Sequence, residues 1–313
     1  MDITSRLLML LDVVEHGSFA GAATSRNIDR SVISKQISRL EDDLGVRLLN
    51  RTTRSFSLTA AGAEMIKKSR ELRELLGQTV RLAENYHQEP RGVLKITSST
   101  IIAKRYLQPV INDFQKRFPQ VELRLDDRVM DIVAEGFDLA FRVGEPKDST
   151  LIARKLARNR MIILASPEFI DTYGMPKNID ELALLPVANY TSTSLRVTTI
   201  KYLDEHGERV EKNMKSVFRA NDGEILLLKA LSGTAFVVMP AFIVGSEVAD
   251  GHLVPILPDL KLLDYSAMYA IYPHRDLPVR TRLFLDAVRE YIGKDIPIWE
   301  SNIPNFERLY QGG

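Results

Sequence analysis

The sequence contains no cysteine and only five histidines among its 313 residues. The absence of cysteine excludes thiolate nucleophiles, thiolate metal sites and disulfide bonds. The histidines are scattered without the spacing of metal ligands, and neither a glycine-rich phosphate loop nor a nucleophile elbow occurs. We therefore expect no catalytic residues, no metal site and no bound cofactor.

Long apolar runs are also missing. No stretch approaches the ~20 apolar residues that a membrane-spanning helix needs. Near the N-terminus, the apolar run 7–11 is followed at once by Asp12 and then by Glu15, which is unlike a secretory signal. We expect a cytoplasmic protein that makes no membrane contact.

Charge of one sign is not in excess, since 42 basic and 41 acidic residues give a net charge of +1. This balance neither favours nor excludes a nucleic-acid partner. The local distribution is more informative, because Arg47, Arg51 and Arg54 lie in a segment, 47–58, that contains no acidic residue. Such a segment can form a basic face on a nearly neutral protein.

The N-terminal part has the apolar spacing of short helices separated by turns. A helix over 5–16 is followed by Gly17 and Ser18, which suit a left-handed helix end and the N-cap of the next helix. A further helix is predicted from about Arg30 to Leu44, with Asp29 as its N-cap. Its apolar residues recur at helical spacing: Ile33, Ile37, Leu40 and Leu44. The opposite face carries hydrogen-bonding side chains: Ser31, Ser34, Lys35 and Ser38. This arrangement is typical of a helix-turn-helix.

A short basic hairpin follows, because Phe56 and Leu58 alternate with polar residues as in a strand. Arginines on such a wing suit phosphates or the minor groove, and serine, lysine or glutamine on a helix suit base edges in the major groove. A generic helical bundle is the alternative, but a basic wing directly after a polar helix face favours duplex DNA as the partner. The pattern leaves open whether Gln36 or Arg39 points outward.

A long helix is predicted from Thr59 to about His87. Residues at heptad spacing form a seam for pairing with a second copy of the chain: Met65, Leu72, Thr79 and Tyr86, with Ala61, Leu75 and Leu82 as companions. Lys68 and Glu89 interrupt this seam. Beyond 88–92, alternating strands and helices predict an α/β domain with mainly parallel sheets.

These motifs together resemble the signature of LysR-type transcriptional regulators. The resemblance is carried by GSF at 17–19 with AA at 22–23, SVISKQI at 31–37, LE at 40–41, LGVRL at 44–48, NRTTR at 50–54, LTAAG at 58–62 and FDLAFRVG at 137–144. The downstream part is similar to the subgroup that includes the regulator of adhesion.

The resemblance implies a winged helix-turn-helix over 1–59, a linker and dimerisation helix over 60–90, an effector-binding domain over 91–302 and a tail over 303–313. The effector domain would resemble a type 2 periplasmic binding protein. One lobe would combine 91–161 with 268–302 and the other would hold 162–267, with crossings near Met161–Leu164 and Ser266–Ala270. The resemblance also implies homodimers through the linker helix that pair into homotetramers.

The resemblance assigns the helix face to DNA bases and the wing to further DNA contacts. The predicted DNA-binding residues are Arg30, Ser31, Ser34, Lys35, Ser38, Arg51, Thr52, Thr53 and Arg54.

A small-molecule effector would bind between the lobes, where strand ends and helix N-termini converge. Hydroxyls and backbone amides in the first strand-to-helix loop suit a carboxylate or another polar anion, and Arg142 adds charge. The predicted effector-binding residues are Ser98, Ser99, Thr100, Arg142, Asn189, Tyr190, Asn221 and Asp222. Helix capping is the alternative for 98–100, and a structural ion pair is the alternative for Arg142.

One segment departs from the family pattern. Where the family often has GLGIALLP, this chain has GTAFVVMP at 233–240. The bulkier Phe236 and Met239 mean that a ligand preference does not transfer from relatives. The segment 297–313, with the only tryptophan, Trp299, is left with two interpretations: it packs on the domain or it contacts another subunit.

The sequence thus predicts a transcription regulator that binds an inverted-repeat promoter site as an oligomer and responds to a small polar or anionic effector. A solute-binding protein with dimerising N-terminal helices is one rival, and an α/β enzyme with a helical appendage is another. The basic wing counts against the first rival, and the lack of a catalytic constellation counts against the second. Only the regulator should bind duplex DNA with a steep salt dependence.

Overall fold

The computed structural model describes residues 1–51, 56–85, 89–127, 132–133, 135–144, 150–192, 196–264, 267–293 and 295–306. The chain divides into two units, Met1–Gln88 with Asp276–Val279, and Glu89–Arg275 with Arg280–Gly313. Among the described residues, no helix combines the length and the hydropathy that a membrane span requires.

The first unit is a winged helix-turn-helix followed by a long helix. Its elements are the helices α1 (Ile3–Glu15), α2 (Phe19–Arg26) and α3 (Arg30–Leu44), the antiparallel hairpin β1 (Leu49–Arg51) and β2 (Phe56–Leu58), and the helix α4 (Ala60–Asn85). Ser18 caps α2 as predicted, because its side chain accepts a hydrogen bond from the Gly21 N–H at 2.9 Å. Asp29 occupies the N-cap position of α3 but makes no capping side-chain bond. Gly45 ends α3 at a φ of 66°, a conformation that glycine adopts without strain.

The core of the first unit lies between the three short helices, the hairpin and the start of α4. The predicted inward residues Ile33, Ile37 and Leu40 are fully buried, and Leu44 packs against them at the edge. Burial of this stripe leaves the opposite face of α3 at the surface, as helical periodicity requires.

At the start of α4, two residues of the predicted dimer seam also pack within their own unit. Ala61 and Met65 pack against the core of their own unit, next to the buried Ile66. Gly62 makes this packing possible, since a Cβ there would lie 2.0 Å from the carbonyl oxygen of Leu48. Further along, Leu75 is exposed by 59% and Leu76 by 43%, so an apolar surface begins after the first turns. The Leu82 side chain and Tyr86 lie outside the described residues.

The second unit contains two five-stranded sheets. The first sheet has the order β4-β3-β5-β14-β6, with β3 (Gly92–Ser98), β4 (Val121–Asp126), β5 (Leu139–Val143), β6 (Ile152–Arg158) and β14 (Ala267–Tyr272). The second sheet has the order β11-β8-β12-β7-β13, with β7 (Met161–Ala165), β8 (Pro186–Tyr190), β11 (Lys215–Ala220), β12 (Phe236–Pro240) and β13 (Val254–Pro255). A separate hairpin pairs β9 (Thr199–Leu203) with β10 (Arg209–Asn213).

The prediction of mainly parallel sheets is wrong, because both sheets are mixed. In the described strands, β3 pairs in parallel with β4 and β5, and β8 with β11 and β12. The other four pairings are antiparallel, at β14 with β5 and β6 and at β7 with β12 and β13. The chain changes sheet twice, at 159–160 and between Pro255 and Ala267. The strands on either side of each change run antiparallel to a neighbour in their own sheet.

Helices connect these strands. A continuous helical segment over 100–117 consists of α5 (Thr100–Ile102), a π-helical turn (Ala103–Leu107) and α6 (Gln108–Arg117). The remaining helices are α7 (Pro167–Tyr173), α8 (Ile179–Leu184), α9 (Gly223–Leu231), α10 (Val279–Ile292) and α11 (Ile298–Ser301), with a 3-10 turn at Ala241–Ile243. Each sheet with its helices forms one lobe of the second unit.

Candidate functional site

The outer face of α3 is polar and accessible. Arg30, Ser31 and Lys35 are exposed, and Ser34 and Ser38, one helical turn apart along the same border of the face, are half-buried. The structure thus brings the five predicted residues of α3 onto one surface, opposite the buried Ile33, Ile37 and Leu40. An α-helix with such a face fits the major groove of B-DNA.

The structure also answers which residue of α3 faces outward. Arg39 is exposed, whereas the Gln36 side-chain oxygen accepts a hydrogen bond from the Arg6 Nε at 3.2 Å. Val32, which the sequence interpretation missed, is exposed by 39% beside Lys35. Its position on the helical wheel is the signal that would have found it. An exposed aliphatic side chain on this face suits contact with a thymine methyl group.

Arg6 fixes α3 against α1. Its guanidinium donates to Gln36, to a carboxylate oxygen of Asp43 and, at 2.8 Å, to the carbonyl of Met1. The Arg6 side chain is only 14% exposed. Arg6 therefore serves the internal geometry of the unit.

The wing is tied to the end of α3 by Glu41. Its Oε1 accepts hydrogen bonds from the backbone N–H groups of Leu48 at 2.8 Å and Leu49 at 3.0 Å. The Thr59 hydroxyl closes the other side of the hairpin by donating to the Arg47 carbonyl at 2.7 Å. The acidic residue that follows the polar face is thus a wing anchor, a role that sequence spacing alone does not indicate.

The remaining predicted DNA contacts belong to the wing segment of the sequence. Arg51 lies at the end of β1, where its backbone pairs with Phe56. Phe56 in turn packs edge-to-face on Phe19 of α2, with ring centroids 5.8 Å apart. Thr52, Thr53 and Arg54 lie outside the described residues. The base of the wing is therefore packed on the helix-turn-helix.

Two acidic residues of α1 hold α2 and α4. Glu15 accepts a two-pronged bond from Arg73, at 2.6 and 2.7 Å, and Asp12 pairs with Arg26. The hydrogen bond to Glu15 raises the pKa of Arg73. Arg26 and Arg73 are therefore engaged inside the unit, and the basic residues of α3 remain at its surface.

In the second unit, the junction between β3 and α5 carries three predicted effector residues. Ser98 is fully buried and its hydroxyl donates to the Ser99 carbonyl at 3.2 Å. Ser99 occupies the N-cap position of α5 without a capping side-chain bond. Thr100 is exposed, donates to the Asp127 carboxylate at 3.0 Å and lines a cavity of about 390 Å³. The cavity is bounded also by Lys104 and Asp126.

Arg142 lies next to this loop on the neighbouring strand. Its guanidinium donates to the Thr97 hydroxyl at 2.7 Å and to the Phe141 carbonyl at 3.0 Å. Burial lowers the pKa of Arg142. The strand pairing of β3 with β5 thus brings Arg142 to the first strand-to-helix loop.

The candidates of the other lobe gather where β8 and β11 end. Asn189 is 1% exposed, and neither atom of its amide group has a hydrogen-bond partner among the described residues. Tyr190 is half-buried, and Asn221 is exposed. Asp222 caps α9, because its Oδ1 accepts from the backbone N–H groups of Glu224 at 2.8 Å and Ile225 at 3.0 Å. No hydrogen bond among the described residues joins this set to the set around Arg142.

The two lobes meet through charged side chains that the sequence interpretation missed. Lys104 lies 3.4 Å from a Glu224 carboxylate oxygen, and Arg105 lies 3.8 Å from Glu247 and 3.9 Å from Glu224. Gly245 allows this approach, since a Cβ there would lie 2.4 Å from an Arg105 nitrogen. In the described part of the chain, no group of three or more histidine, aspartate or glutamate side chains could hold a metal ion.

Comparison with known proteins agrees with this architecture. Residues 4–63 match the model of the bacterial regulatory helix-turn-helix protein, lysR family, and residues 87–293 match the LysR substrate binding domain. The transcriptional regulator CrgA of Neisseria meningitidis is 32% identical over 298 residues, covering 94% of this chain and 98% of CrgA. The regulator PtxR of Pseudomonas aeruginosa is 32% identical over 294 residues, covering 93% of each chain.

Solved structures lead to the same family. The structure of CrgA superposes with a TM-score of 0.58 at 32% identity and covers 91% of this chain and 97% of CrgA. The full-length Vibrio cholerae virulence activator AphB superposes with a TM-score of 0.56 at 28% identity and covers 93% of this chain and 99% of AphB. These relatives are transcriptional regulators and not enzymes. The chain belongs to the LysR family of DNA-binding transcriptional regulators, with a helix-turn-helix domain and an effector-binding domain.

Proposed function

We propose that this regulator binds an inverted-repeat promoter site as a homo-oligomer and that a small polar or anionic effector modulates it. The observation that carries the proposal is the exposed polar face of α3 beside an anchored basic wing. Promoter DNA lies in the cytoplasm of a bacterium, so we propose that the protein acts there.

Base recognition is assigned to the face of α3. Lys35 and Arg30 supply donors for guanine or phosphate oxygens, and the serine hydroxyls supply short-range donors and acceptors. Arg51 ends β1, and Thr52, Thr53 and Arg54 come next in the sequence, in a wing whose base is fixed by Glu41. A wing held in this way suits phosphates or an AT-rich minor groove.

Pairing of two chains is assigned to the part of α4 beyond its first turns. The exposed Leu75 and Leu76 supply apolar surface for a helix partner. A dimer presents two α3 helices, and their spacing on one face of the duplex corresponds to about one helical turn, ~34–36 Å, or a multiple of it. We further propose that such dimers pair into tetramers, as the family resemblance implies.

The effector is assigned to the space between the lobes. The guanidinium of Arg142 and the hydroxyls of 98–100 are the proposed donors for a carboxylate or another polar anion. Ser98 and Thr100 would exchange their bonds to the Ser99 carbonyl and the Asp127 carboxylate for bonds to the ligand. Asn189 adds an amide group whose atoms have no hydrogen-bond partner in the described structure. Buried polar groups are normally hydrogen-bonded, so a ligand or water is the expected partner of Asn189.

The test is a selection of duplex DNA from a random pool with the purified full chain, followed by titration of the selected site at several salt concentrations. Tight binding with a steep salt dependence is expected. Lys35→Ala should weaken binding by roughly tenfold or more, since a good base contact contributes ~1–3 kcal/mol.

Lys67→Ala is the matched control, because Lys67 is exposed on α4, away from the face of α3. Its affinity should equal that of the unmodified chain. Equal affinities for Lys35→Ala and Lys67→Ala would remove α3 as the reading element, and failure to enrich any duplex would contradict the proposal as a whole.

A further inference from the structure

The segment 297–306 is built into the second unit, where it touches both lobes. We call it the C-terminal clasp. It begins with α11, and its residues Trp299, Glu300, Ile303 and Phe306 are buried. The first of the two interpretations of this segment, packing on the domain, is therefore the one that the described residues show.

The centre of the clasp is the Glu300 carboxylate, which is 1% exposed. It accepts from Arg158 through Nε at 3.1 Å and a terminal nitrogen at 2.8 Å. It also accepts from Arg160 through Nε at 3.0 Å and a terminal nitrogen at 2.7 Å. Arg158 is the last residue of β6 in the first sheet, and Arg160 directly precedes β7 in the second sheet. One buried carboxylate thus holds both ends of the first crossing between the lobes.

Arg160 is enclosed on its other sides. Its guanidinium carbon lies 4.5 Å from the ring centroid of Phe306, and its side chain is only 7% exposed. The Arg160 carbonyl accepts from the Ala241 N–H at 2.9 Å, which ties the crossing to the second lobe. A bidentate arginine–carboxylate pair is directional, so it constrains orientation as well as distance.

Trp299 fills the space next to this ion cluster and contacts both lobes. Its ring packs edge-to-face on Tyr106, with centroids 5.1 Å apart, and on Phe242, with centroids 6.5 Å apart. Tyr106 belongs to the π-helical turn that follows β3, and Phe242 belongs to the 3-10 turn that follows β12. The Tyr106 hydroxyl donates to the Phe242 carbonyl at 2.5 Å. Burial raises the pKa of Tyr106, so this phenol keeps its proton and continues to donate.

The second crossing approaches the same cluster. Asp264 lies in the segment that leads from β13 to β14. Desolvation raises the pKa of its carboxyl, while the charges of Arg160, Arg158 and Lys155 lower it and that of Glu300 raises it. The pKa of the Asp264 carboxyl on the second crossing is thus affected by the charges of Arg158, Arg160 and Glu300.

We propose that the C-terminal clasp sets the angle between the two lobes, with Glu300 as the positioning residue. A change of that angle must either carry the clasp as a rigid part of the crossing or break the bonds of Glu300. Breaking the bonds of Glu300 is unfavourable, because separating a buried ion pair leaves a buried charge without a partner. Under the proposed function, movement of the lobes transmits effector binding. Glu300 then determines how far the two lobes can move in the protein without effector.

The absence of native cysteine allows a direct test on the full chain. One spin label is attached to Lys116→Cys on α6 and one to Leu184→Cys on α8, because the Lys116 side chain is 78% exposed and Leu184 is 74% exposed. Labelled protein is mixed with excess unlabelled chain, so that measured distances arise within one subunit. Pulsed electron spin resonance then gives the distribution of distances between the lobes without effector or DNA.

Glu300→Gln keeps the shape of the side chain and removes its charge. We expect the population outside the distance range of the unmodified protein to rise by roughly tenfold or more, a change that corresponds to about 1.4 kcal/mol. Arg158→Gln, at a side chain that is 37% exposed, should give a smaller change in the same direction. Glu290→Gln, at an exposed glutamate of α10, is the matched control and should leave the distribution unchanged.

An unchanged distribution in folded Glu300→Gln and Arg158→Gln would overturn the proposal. If circular dichroism shows that Glu300→Gln is unfolded, the distance distribution of Arg158→Gln alone decides whether the proposal holds. A purely stabilising role for Glu300 predicts a lower melting temperature with the distance distribution unchanged, and that result also counts against the clasp. Since the measurement involves no DNA, failure of the DNA-binding proposal would leave this outcome intact and distinguishable.

Discussion

Each of the two units contains arginine–carboxylate pairs that join its own elements, but the two sets of pairs differ in their access to water. In the first unit, Arg73 reaches Glu15 with 37% of its side chain exposed. In the second unit, Arg160 and Glu300 are 7% and 1% exposed. The bond lengths are alike, at 2.6 Å and 2.7 Å, so the difference between the pairs lies in access to water.

This difference determines what each pair can do. A partly exposed pair adds little stability, since water screens its attraction and compensates either charge when the other is lost. A buried pair also adds little net stability, because desolvation offsets its attraction, but removal of one partner is costly. The pairs around Arg73 thus fasten helices, whereas the cluster around Glu300 resists one particular movement.

The largest effect on stability is expected when an arginine is removed from the buried cluster around Glu300. Arg160→Ala leaves Glu300 with only Arg158 of its two described guanidinium partners and removes the cation over Phe306. We expect a loss of about 3–5 kcal/mol in the free energy of unfolding, as for other broken buried pairs. Urea titration of the full chain measures this loss, with Lys215→Ala, at an exposed lysine of β11, as the control. A loss below about 1 kcal/mol would place the buried pair in the same class as the exposed ones.

An intermediate effect is expected at the partly exposed pair. Glu15→Gln keeps one hydrogen-bond acceptor for Arg73 and removes the charge that joins α1 to α4. After allowance for solvent screening, we expect a loss of about 1 kcal/mol in the unfolding of the first unit. Thermal unfolding in low and high salt provides the check, because the difference between variant and parent should shrink as salt rises. A loss that is large and independent of salt would mean that Glu15 behaves as a buried charge.

The separation of interacting residues along the chain explains which features the sequence could predict. The face of α3 follows from a period of 3.6 residues, and the caps at Ser18 and Gly45 follow from residue types at helix ends. These features depend on neighbours a few positions away. The bond from Glu41 to the wing spans seven residues, and the bond from Arg160 to Glu300 spans 140. Local patterns contain no information on partners at such separations.

The error in strand direction and the double role of two seam residues have the same origin. Strand direction depends on how the chain returns to each sheet, so the antiparallel pairings of β14 and β7 were not visible in alternating strands and helices. Ala61 and Met65 fit a heptad seam equally well whether they face another chain or the core of their own unit. Asp222 before Gly223 and Glu224 has a local signal, because aspartate at a helix start is a recognisable N-cap, and this role is compatible with the proposed effector contact.

The smallest effect is expected at a fully exposed pair. Lys68 and Glu71 lie one turn apart on α4 at 2.8 Å, with side chains 68% and 54% exposed. The hydrogen bond between them raises the pKa of Lys68 and lowers that of Glu71, yet both groups remain in water. Lys68→Gln should therefore leave the melting temperature unchanged within error at any salt concentration, since isolated surface pairs often contribute nothing measurable. A clear, salt-sensitive loss would show that Lys68 is not solvated in the working protein. Because Lys68 interrupts the heptad seam of α4, the explanation would then be an acidic partner supplied by a second chain, and the loss should depend on protein concentration.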